Sequence, residues 1–140
     1  MSALYTTEAI SSGDGRNGIV RVLDGAFEQQ LVVPKELGGP GGEQTNPEQL
    51  FASGYAACFH NGLRLLAAQR KLRLADSTVT ATVSLIALDE SRFGLEVGLS
   101  AYLPGLTQPE ADELVQATHQ VCPYSNATRG NVQIALAAAV

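Results

Sequence analysis

A long, thin helix is predicted near the middle of the chain, and it limits the folds that the sequence can adopt. Asn46 is a favourable N-cap, Pro47 suits the first helical position, and Gln49 can complete a capping box. The helix is predicted to run from Pro47 to about Lys71. Large apolar side chains spread over more than one face, and small residues between them keep the helix narrow. A helix that is apolar over most of its circumference is buried in a core or at a subunit interface.

Strands are predicted on both sides of this helix. Apolar residues alternate with Thr and Ser over 77–88, and a second alternation runs from Leu95 to Leu103. Two such runs separated by a turn predict an antiparallel hairpin. The remaining predicted strands lie at 3–11, 18–24, 27–33 and 131–140.

A second helix is predicted after the hairpin. Thr107 and Glu110 have the spacing of a capping box, and apolar residues follow at intervals of three and four. Pro123 disfavours helical geometry at the residue before it, so the helix is predicted to end near Cys122, with a loop over 124–130. The element order indicates an α+β fold with two main helices and mostly antiparallel sheets, in one domain spanning 1–140.

Composition and charge exclude several functional classes. The chain has 140 residues, of which 45% are hydrophobic, and its formal net charge is −5. Basic residues are scattered apart from a short cluster at 70–73, which argues against a nucleic-acid partner. The N-terminal segment has neither a basic start nor an apolar run, and no stretch is long enough to span a bilayer. We therefore expect a cytoplasmic protein with no membrane partner.

The two cysteines, Cys58 and Cys122, allow three interpretations. Both can be inert core residues, since free cysteine is among the most buried residue types. They can join His60 and His119 in a nominal zinc site, but Cys58 and His60 are two helical positions apart and point in different directions. They can also form a redox pair. No metal or cofactor is expected.

A redox interpretation makes specific demands on the surroundings of Cys58. Only the thiolate is nucleophilic, so a nearby cation is needed to favour it at neutral pH. A second cysteine must be able to approach, and Cys122 lies at a helix end beside a turn-rich segment. The sequence lacks a C-x-x-C motif, which excludes the usual thioredoxin arrangement.

Two long motifs carry a family resemblance. The segments TNPEQLFASGYAACF at 45–59 and HQVCPYSNATRGN at 119–131 resemble those of the organic hydroperoxide resistance proteins, the Ohr branch of the Ohr/OsmC family. Shorter matches at 36–42, 93–97 and 103–106 follow in the same order along the chain. The resemblance implies an Ohr-like fold, an intertwined homodimer, and a thiol peroxidase that reduces organic hydroperoxides and is itself reduced by dihydrolipoyl groups of lipoylated proteins.

The resemblance also implies roles for individual residues. Cys58 matches the cysteine that attacks the peroxide, Cys122 matches the resolving cysteine, and Glu48 matches the family's glutamate. The family's arginine lies in an early R-D-G turn, for which Arg16 in RNG is the nearest match and Arg21 the alternative. A guanidinium can stabilise the thiolate, and a carboxylate can hold the guanidinium in place.

The substrate pocket is expected to be apolar. Leu50, Phe51 and Tyr124 are its candidate walls, although ordinary core packing is the better explanation for Phe51. The sequence leaves open whether Tyr124, Asn126 and Arg129 contact substrate or only hold the turn after Pro123, and it favours the turn. Whether the 34–44 loop is an active-site flap or only a long connection stays open at this point.

Helical geometry predicts that the site is shared between two chains. Glu48 and Cys58 are ten positions apart on one predicted helix, which corresponds to about 15 Å along its axis. A carboxylate cannot bridge that span. If Glu48 serves the Cys58 site, then either the helix breaks between them or, as we expect, Arg16 and Glu48 come from the partner subunit. The simpler alternative is that Glu48 is only a first-turn acid favoured by the helix dipole.

Two other functions remain compatible with the sequence. One is an OsmC-like peroxidase with a different peroxide preference. The other is a small-molecule-binding stress protein on the same scaffold, in which both cysteines are inert.

Overall fold

Six strands and three helices make up the fold, in a computed structural model that describes all 140 residues. This confirms the predicted α+β class. The chain forms two units, residues 1–50 and residues 51–140, and the expectation of one domain stays a prediction. The elements are β1 (Ala9–Ser12), β2 (Ile19–Val22), β3 (Glu28–Gln30), α1 (Pro47–Gln69), β4 (Thr78–Ala87), β5 (Phe93–Tyr102), α2 (Gln108–Val121), α3 (Pro123–Thr128) and β6 (Ile134–Ala139).

The first unit contains a small antiparallel sheet in the order β1-β2-β3. The predicted strand over 3–11 is wrong in its extent, because β1 covers only Ala9–Ser12. The partner strand β2 ends at Val22, which lies opposite Ala9. Residues before Ala9 therefore have no residues of β2 to pair with. The strand predicted over 27–33 is also shorter, since only Glu28–Gln30 pair with β2.

The 34–44 segment is partly structured. A short 3-10 helix, Lys35–Leu37, opens it, and Gly38 follows in the left-handed region with φ 82°. Glycine tolerates that conformation because it has no Cβ. The segment ends at Thr45, which makes an isolated parallel bridge with Leu31. It therefore connects the small sheet to α1 by a turn rather than by a further strand.

The second unit is built on the sheet β4-β5-β6. The predicted hairpin is confirmed, with β4 and β5 antiparallel and Val83 opposite Val97. β6 lies parallel to β5, so α2 and α3 form the crossover that a parallel connection requires. Both sheets together contain one parallel pair of neighbouring strands, and the mostly antiparallel architecture is confirmed.

α1 packs against the rest of the second unit along one narrow face. Its buried residues recur every four positions, so they lie in a line along the helix. Leu65, in contrast, is 57% exposed, and apolar surface therefore remains outside the core of this chain. None of the helices combines the length and the apolar character that crossing a membrane requires. The buried residues of α1 are Tyr55, Phe59, Leu63 and Ala67.

Capping interactions fix where the helices begin. The Asn46 side chain accepts a hydrogen bond of 2.8 Å from the Gln49 backbone, which confirms it as the cap of α1. The predicted capping box of α2 is confirmed as well, since Thr107 and Glu110 each bond to the other's backbone N–H. These bonds satisfy N–H groups that the first helical turn otherwise leaves unpaired.

The loop predicted over 124–130 is wrong, because Pro123–Thr128 form the short helix α3. Pro123 does end α2, but it also occupies the first position of the next helix, where its fixed φ is favourable and its missing N–H costs nothing. Cys122 stands between the two helices with extended backbone angles, φ −65° and ψ 125°. We call residues 121–123 the α2–α3 corner.

The close approach of α1 and α2 depends on Gly62. A Cβ at this position would lie 3.0 Å from the methyl group of Thr118, which is fully buried and hydrogen-bonded to the Leu114 carbonyl. Thr118 therefore has little freedom to move aside.

We expect Gly62→Val to lower the free energy of unfolding by about 1–3 kcal/mol, because overpacking forces the helices apart. Urea unfolding followed by far-UV circular dichroism measures the change. Ala68→Val is the matched control, since Ala68 lies on the exposed side of α1. Equal stability of the two variants would contradict the packing argument.

Candidate active site

Cys58 and Cys122 lie side by side although 64 residues separate them in the sequence. The thiol of Cys122 is directed at the Cys58 sulfur, with the two Sγ atoms 3.6 Å apart. Cys122 is 1% exposed, whereas Cys58 on α1 is half-buried, and both are free thiols. The arrangement leaves the Cys58 sulfur as the one that a small molecule can reach.

The surroundings of Cys58 within the second unit oppose ionisation. Burial raises the pKa of the Cys58 thiol, and the neighbouring Cys122 raises it further. The backbone N–H of Tyr124, in the first turn of α3, donates to the sulfur and lowers the pKa in part. A thiolate at Cys58 therefore needs additional positive charge.

The structure brings Arg16 and Glu48 together in a bidentate ion pair. Arg16 Nη1 and Nη2 donate to the two carboxylate oxygens of Glu48 at 2.8 Å and 2.7 Å. Arg16 lies in a short 3-10 turn, and the side chain of the adjacent Asn17 accepts a bond from the Val33 backbone that anchors this turn. Arg21 lies within β2 instead. The ion pair favours Arg16 over Arg21 as the partner of Glu48.

Ion pairing shifts the titration of both side chains. The hydrogen bond from Arg16 lowers the pKa of Glu48, although partial burial opposes this shift. The same bond raises the pKa of Arg16. Both groups therefore stay charged at neutral pH, and the planar fork of the guanidinium is held in one orientation.

α1 is continuous from Pro47 to Gln69, and it carries both Glu48 and Cys58. The ten residues between them correspond to about 15 Å along the helix axis. The carboxylate and the thiol of one chain are therefore kept apart by a regular helix.

Three aromatic rings gather beside the two turns of α1 that precede Cys58. Phe51 and Tyr55 on α1 lie 5.9 Å apart between ring centroids, and Tyr124 lies 6.4 Å and 5.7 Å from them. Gly54 makes room for the Tyr124 ring, since a Cβ there would approach it to 3.2 Å. Of the expected pocket walls, the structure thus brings Phe51 and Tyr124 together, and Leu50 is half-buried in the first unit.

Both histidines are hydrogen-bonded to serines. His60 Nε2 lies 2.9 Å from Ser77 Oγ, and His119 Nδ1 lies 2.8 Å from Ser125 Oγ. No three side chains of His, Cys, Asp or Glu lie close enough together to hold a metal ion. The nominal set of two cysteines and two histidines is therefore not gathered into one site.

The sequence analysis did not identify Tyr55, His119 and Ser125 as polar groups of this region. The Ser125 hydroxyl lies 2.8 Å from the Tyr55 hydroxyl, and both residues are fully buried. A signal existed, because a proline after a helix end is also typical of the first position of a new helix. That interpretation would have placed Ser125 in the first turn of α3, facing α1.

Asn126 and Arg129 hold the end of α3, as the sequence suggested. Arg129 donates to the Asn126 side chain and to the His119 backbone carbonyl. Burial lowers the pKa of His119, and the positive charge of Arg129 lowers it further. These contacts stabilise the chain around the α2–α3 corner.

Known proteins share this architecture and much of the sequence. The family model described as OsmC-like protein matches residues 39–137. An organic hydroperoxide resistance protein of Xanthomonas axonopodis pv. citri is 47% identical over 133 residues, covering 95% of this chain and 93% of its own. The organic hydroperoxide resistance protein-like 2 of Staphylococcus epidermidis is 44% identical over 136 residues, covering 96% and 95%.

A solved structure agrees over the whole length. The crystal structure of an organic hydroperoxide resistance protein from Legionella pneumophila has a TM-score of 0.94 and 52% identity, covering 99% of this chain and 100% of that one. The chain belongs to the Ohr branch of the OsmC-like family. The predicted resemblance and the Ohr-like fold are thereby confirmed.

In this Ohr-branch chain, the Arg16–Glu48 pair should contribute stability that depends on pH. The folded state lowers the Glu48 pKa below its ordinary value of 4.5, so in acid the unfolded chain takes up the proton first. The stabilisation is therefore complete above pH 4.5 and is lost as the pH falls through the lowered pKa. Its size is modest, since the Arg16 side chain is 39% exposed.

We expect wild type to be more stable than Glu48→Gln at pH ~7 and the difference to shrink progressively as the pH falls below 4.5. Chemical denaturation at a series of pH values measures both curves. Glu36→Gln, an exposed acid of the same unit, is the control and should follow wild type. If the free energies of unfolding of wild type and Glu48→Gln were equal at every pH, the Arg16–Glu48 pair would contribute nothing to stability.

Proposed function

We propose that the chain is a cysteine-based peroxidase that reduces organic hydroperoxides to alcohols in defence against oxidative stress. Cys58 attacks the peroxide and Cys122 resolves the product. The observation that carries this proposal is the 3.6 Å distance between two sulfurs that are 64 residues apart. The names of the relatives in Xanthomonas and Staphylococcus support the substrate class.

The first step consumes one peroxide. The Cys58 thiolate attacks the terminal peroxide oxygen, an S–O bond forms, and the O–O bond breaks. The leaving alkoxide takes a proton and departs as the alcohol. The sulfur has then lost two electrons to the peroxide and is a sulfenic acid.

The second step protects that sulfenic acid. The Cys122 sulfur attacks the Cys58 sulfur, the disulfide forms, and hydroxide leaves with the Cys122 thiol proton as water. An external dithiol returns two electrons and two protons to regenerate both thiols. Dihydrolipoyl groups of a lipoylated protein are the proposed dithiol, as family membership suggests.

Arg16 is the proposed source of the positive charge that Cys58 needs. Because burial raises the pKa of the Cys58 thiol, a guanidinium beside the sulfur has to offset this effect. Glu48 holds the guanidinium by two hydrogen bonds and fixes its donors for the peroxide oxygen.

We assign Arg16 and Glu48 of each site to the partner subunit of a homodimer. The unbroken helix between Glu48 and Cys58 supports this assignment, because it separates them by about 15 Å. Apolar surface on α1, such as Leu65, is exposed in the single chain and supports association with a second copy.

An apolar substrate is supported by the aromatic side chains near Cys58. Phe51 and Tyr124 present ring surface there, and Leu50 is the third proposed wall. Each CH₂ group that the pocket removes from water contributes about 0.8 kcal/mol, which is about a fourfold gain in binding. Alkyl and fatty-acid hydroperoxides are therefore the proposed substrates, in preference to hydrogen peroxide.

The cysteine roles are tested by peroxide consumption with a dihydrolipoyl dithiol as reductant. We expect Cys58→Ser to abolish turnover of tert-butyl hydroperoxide, because no other group supplies the nucleophile. Cys122→Ser should keep the first, stoichiometric reaction and lose the disulfide, which mass spectrometry detects.

Three outcomes would contradict the proposal. Unchanged turnover in Cys58→Ser would reject Cys58 as the nucleophile and with it the proposed mechanism. A preference for hydrogen peroxide over tert-butyl hydroperoxide would contradict the apolar pocket and support an OsmC-like peroxidase of different preference. Loss of one thiol instead of two in oxidised wild type would exclude Cys122 as the resolving residue.

Mixing two inactive variants tests the shared site. A heterodimer of Cys58→Ser and Arg16→Ala has one site with both defects and one intact site, if Arg16 is supplied across the interface. After joint refolding we expect about a quarter of wild-type activity, since about half of the dimers are mixed. Arg16→Ala with Glu48→Ala is the matched control, in which every site keeps one defect. Equal activity in both mixtures would place each site within one chain.

A further inference from the structure

One buried hydroxyl connects the three helices that surround the cysteine pair. Ser125 Oγ lies 2.8 Å from the hydroxyl of Tyr55 on α1 and 2.8 Å from Nδ1 of His119 on α2. Each of these residues is three positions from a cysteine: Tyr55 precedes Cys58, and His119 and Ser125 flank Cys122. Positions three apart on a helix are neighbours on one face, so Tyr55 and Cys58 lie on the same side of α1.

Both hydrogen bonds of Ser125 can be made at the same time. A serine hydroxyl has one donor and two acceptor sites, so it can accept from one neighbour and donate to the other. Tyr55 also lies 3.4 Å from the Thr128 hydroxyl, which donates to the Tyr124 carbonyl. No buried polar side-chain atom lacks a partner. A fully satisfied network of this kind holds its members in one arrangement.

This network determines where the α2–α3 corner lies along α1. Cys122 has extended backbone angles between two helices. Its N–H donates to the Thr118 carbonyl and its carbonyl accepts from the Asn126 N–H, so its backbone bonds stay within α2 and α3 and make no link to α1. His119, three positions before Cys122, is hydrogen-bonded to Ser125, which lies three positions after Cys122. Ser125 is in turn hydrogen-bonded to Tyr55 on α1. The Cys122 side chain is therefore aimed at Cys58 by contacts on either side of it.

The direction of Cys122 matters because the second chemical step is demanding in geometry. A disulfide requires an S–S distance of about 2.05 Å, so the sulfurs must approach by about 1.5 Å from their present separation. Cys122 must also approach the Cys58 sulfur from the side opposite the S–O bond. If the α2–α3 corner could move freely relative to α1, the Cys122 sulfur would rarely be aligned for this attack.

We infer that Ser125 is a positioning residue for disulfide formation, acting through the Tyr55 hydroxyl on α1. This inference rests on the proposed peroxidase function and adds a residue to it. Ser125 does not touch the peroxide. It accelerates the attack of the Cys122 thiol on the Cys58 sulfenic acid, in which the S–S bond forms and the hydroxyl leaves as water with the thiol proton.

A competing reaction makes the role measurable. When Cys122 attacks slowly, a second hydroperoxide oxidises the Cys58 sulfenic acid to sulfinic acid and is reduced to the alcohol. Intact-mass spectrometry separates the products, since the disulfide has lost two hydrogens and the sulfinic acid has gained two oxygens. The ratio of the two products reports the rate of disulfide formation at a fixed peroxide concentration.

The experiment treats reduced protein with tert-butyl hydroperoxide over a range of concentrations, without a dithiol. We expect Ser125→Ala to lower the ratio of disulfide to sulfinic acid about tenfold, while the rate of the first oxidation stays within about twofold. Tyr55→Phe keeps the aromatic ring and removes the same hydrogen bond, so it should lower the ratio to a similar extent.

The double variant distinguishes positioning from a general loss of packing. If both substitutions act through one hydrogen bond, Tyr55→Phe with Ser125→Ala should give the same ratio as either single variant. Independent structural damage would instead multiply the two effects. Ser84→Ala and Tyr102→Phe make the same chemical changes at exposed positions of the sheet, and they should leave the ratio unchanged.

Each outcome supports or contradicts the inference. A wild-type ratio in Ser125→Ala, or multiplied effects in the double variant, would overturn it. If Ser125→Ala fails to fold, Tyr55→Phe alone decides, because its ring still fills the core. Wild type that loses neither thiol with hydroperoxide would instead refute the peroxidase proposal, so the two failures give different results.

Discussion

The rigidity of α1 is the constraint on which the candidate site depends. The helix carries Glu48 in its first turn and Cys58 near its middle, and its regular rise keeps the two apart. Its narrow buried face, with Gly62 against Thr118, allows α2 to approach closely. The same helix therefore presents the thiol to the α2–α3 corner.

The electrostatic properties of the cysteine pair and of the Arg16–Glu48 ion pair complement each other. Burial among α1, α2 and α3 disfavours the charged form of Cys58, and the Tyr124 N–H compensates only in part. Arg16 and Glu48 form a charged group that stays ionised and oriented. In the proposed function, the oriented guanidinium of the partner subunit restores the thiolate that this burial disfavours.

Local signals explain which parts of the fold could be predicted. The start of α1, the β4–β5 hairpin and the capping box of α2 depend on residues within a few positions of one another, and all were predicted. α3 was predicted as a loop because six residues give too little periodicity, and Pro123 was interpreted only as a helix end. β1 was predicted too long, since its extent depends on where its partner strand turns.

The sequence by itself determined the two long helices, most strands, the family resemblance and hence the four residues proposed for catalysis. Spacing and capping act locally, so they can be recognised without knowledge of the fold. Only the tertiary structure decided that Cys122 meets Cys58, that Arg16 rather than Arg21 pairs with Glu48, and that Ser125 bonds to Tyr55 across 70 residues. Such contacts depend on how helices pack against one another, which no local pattern of residues specifies.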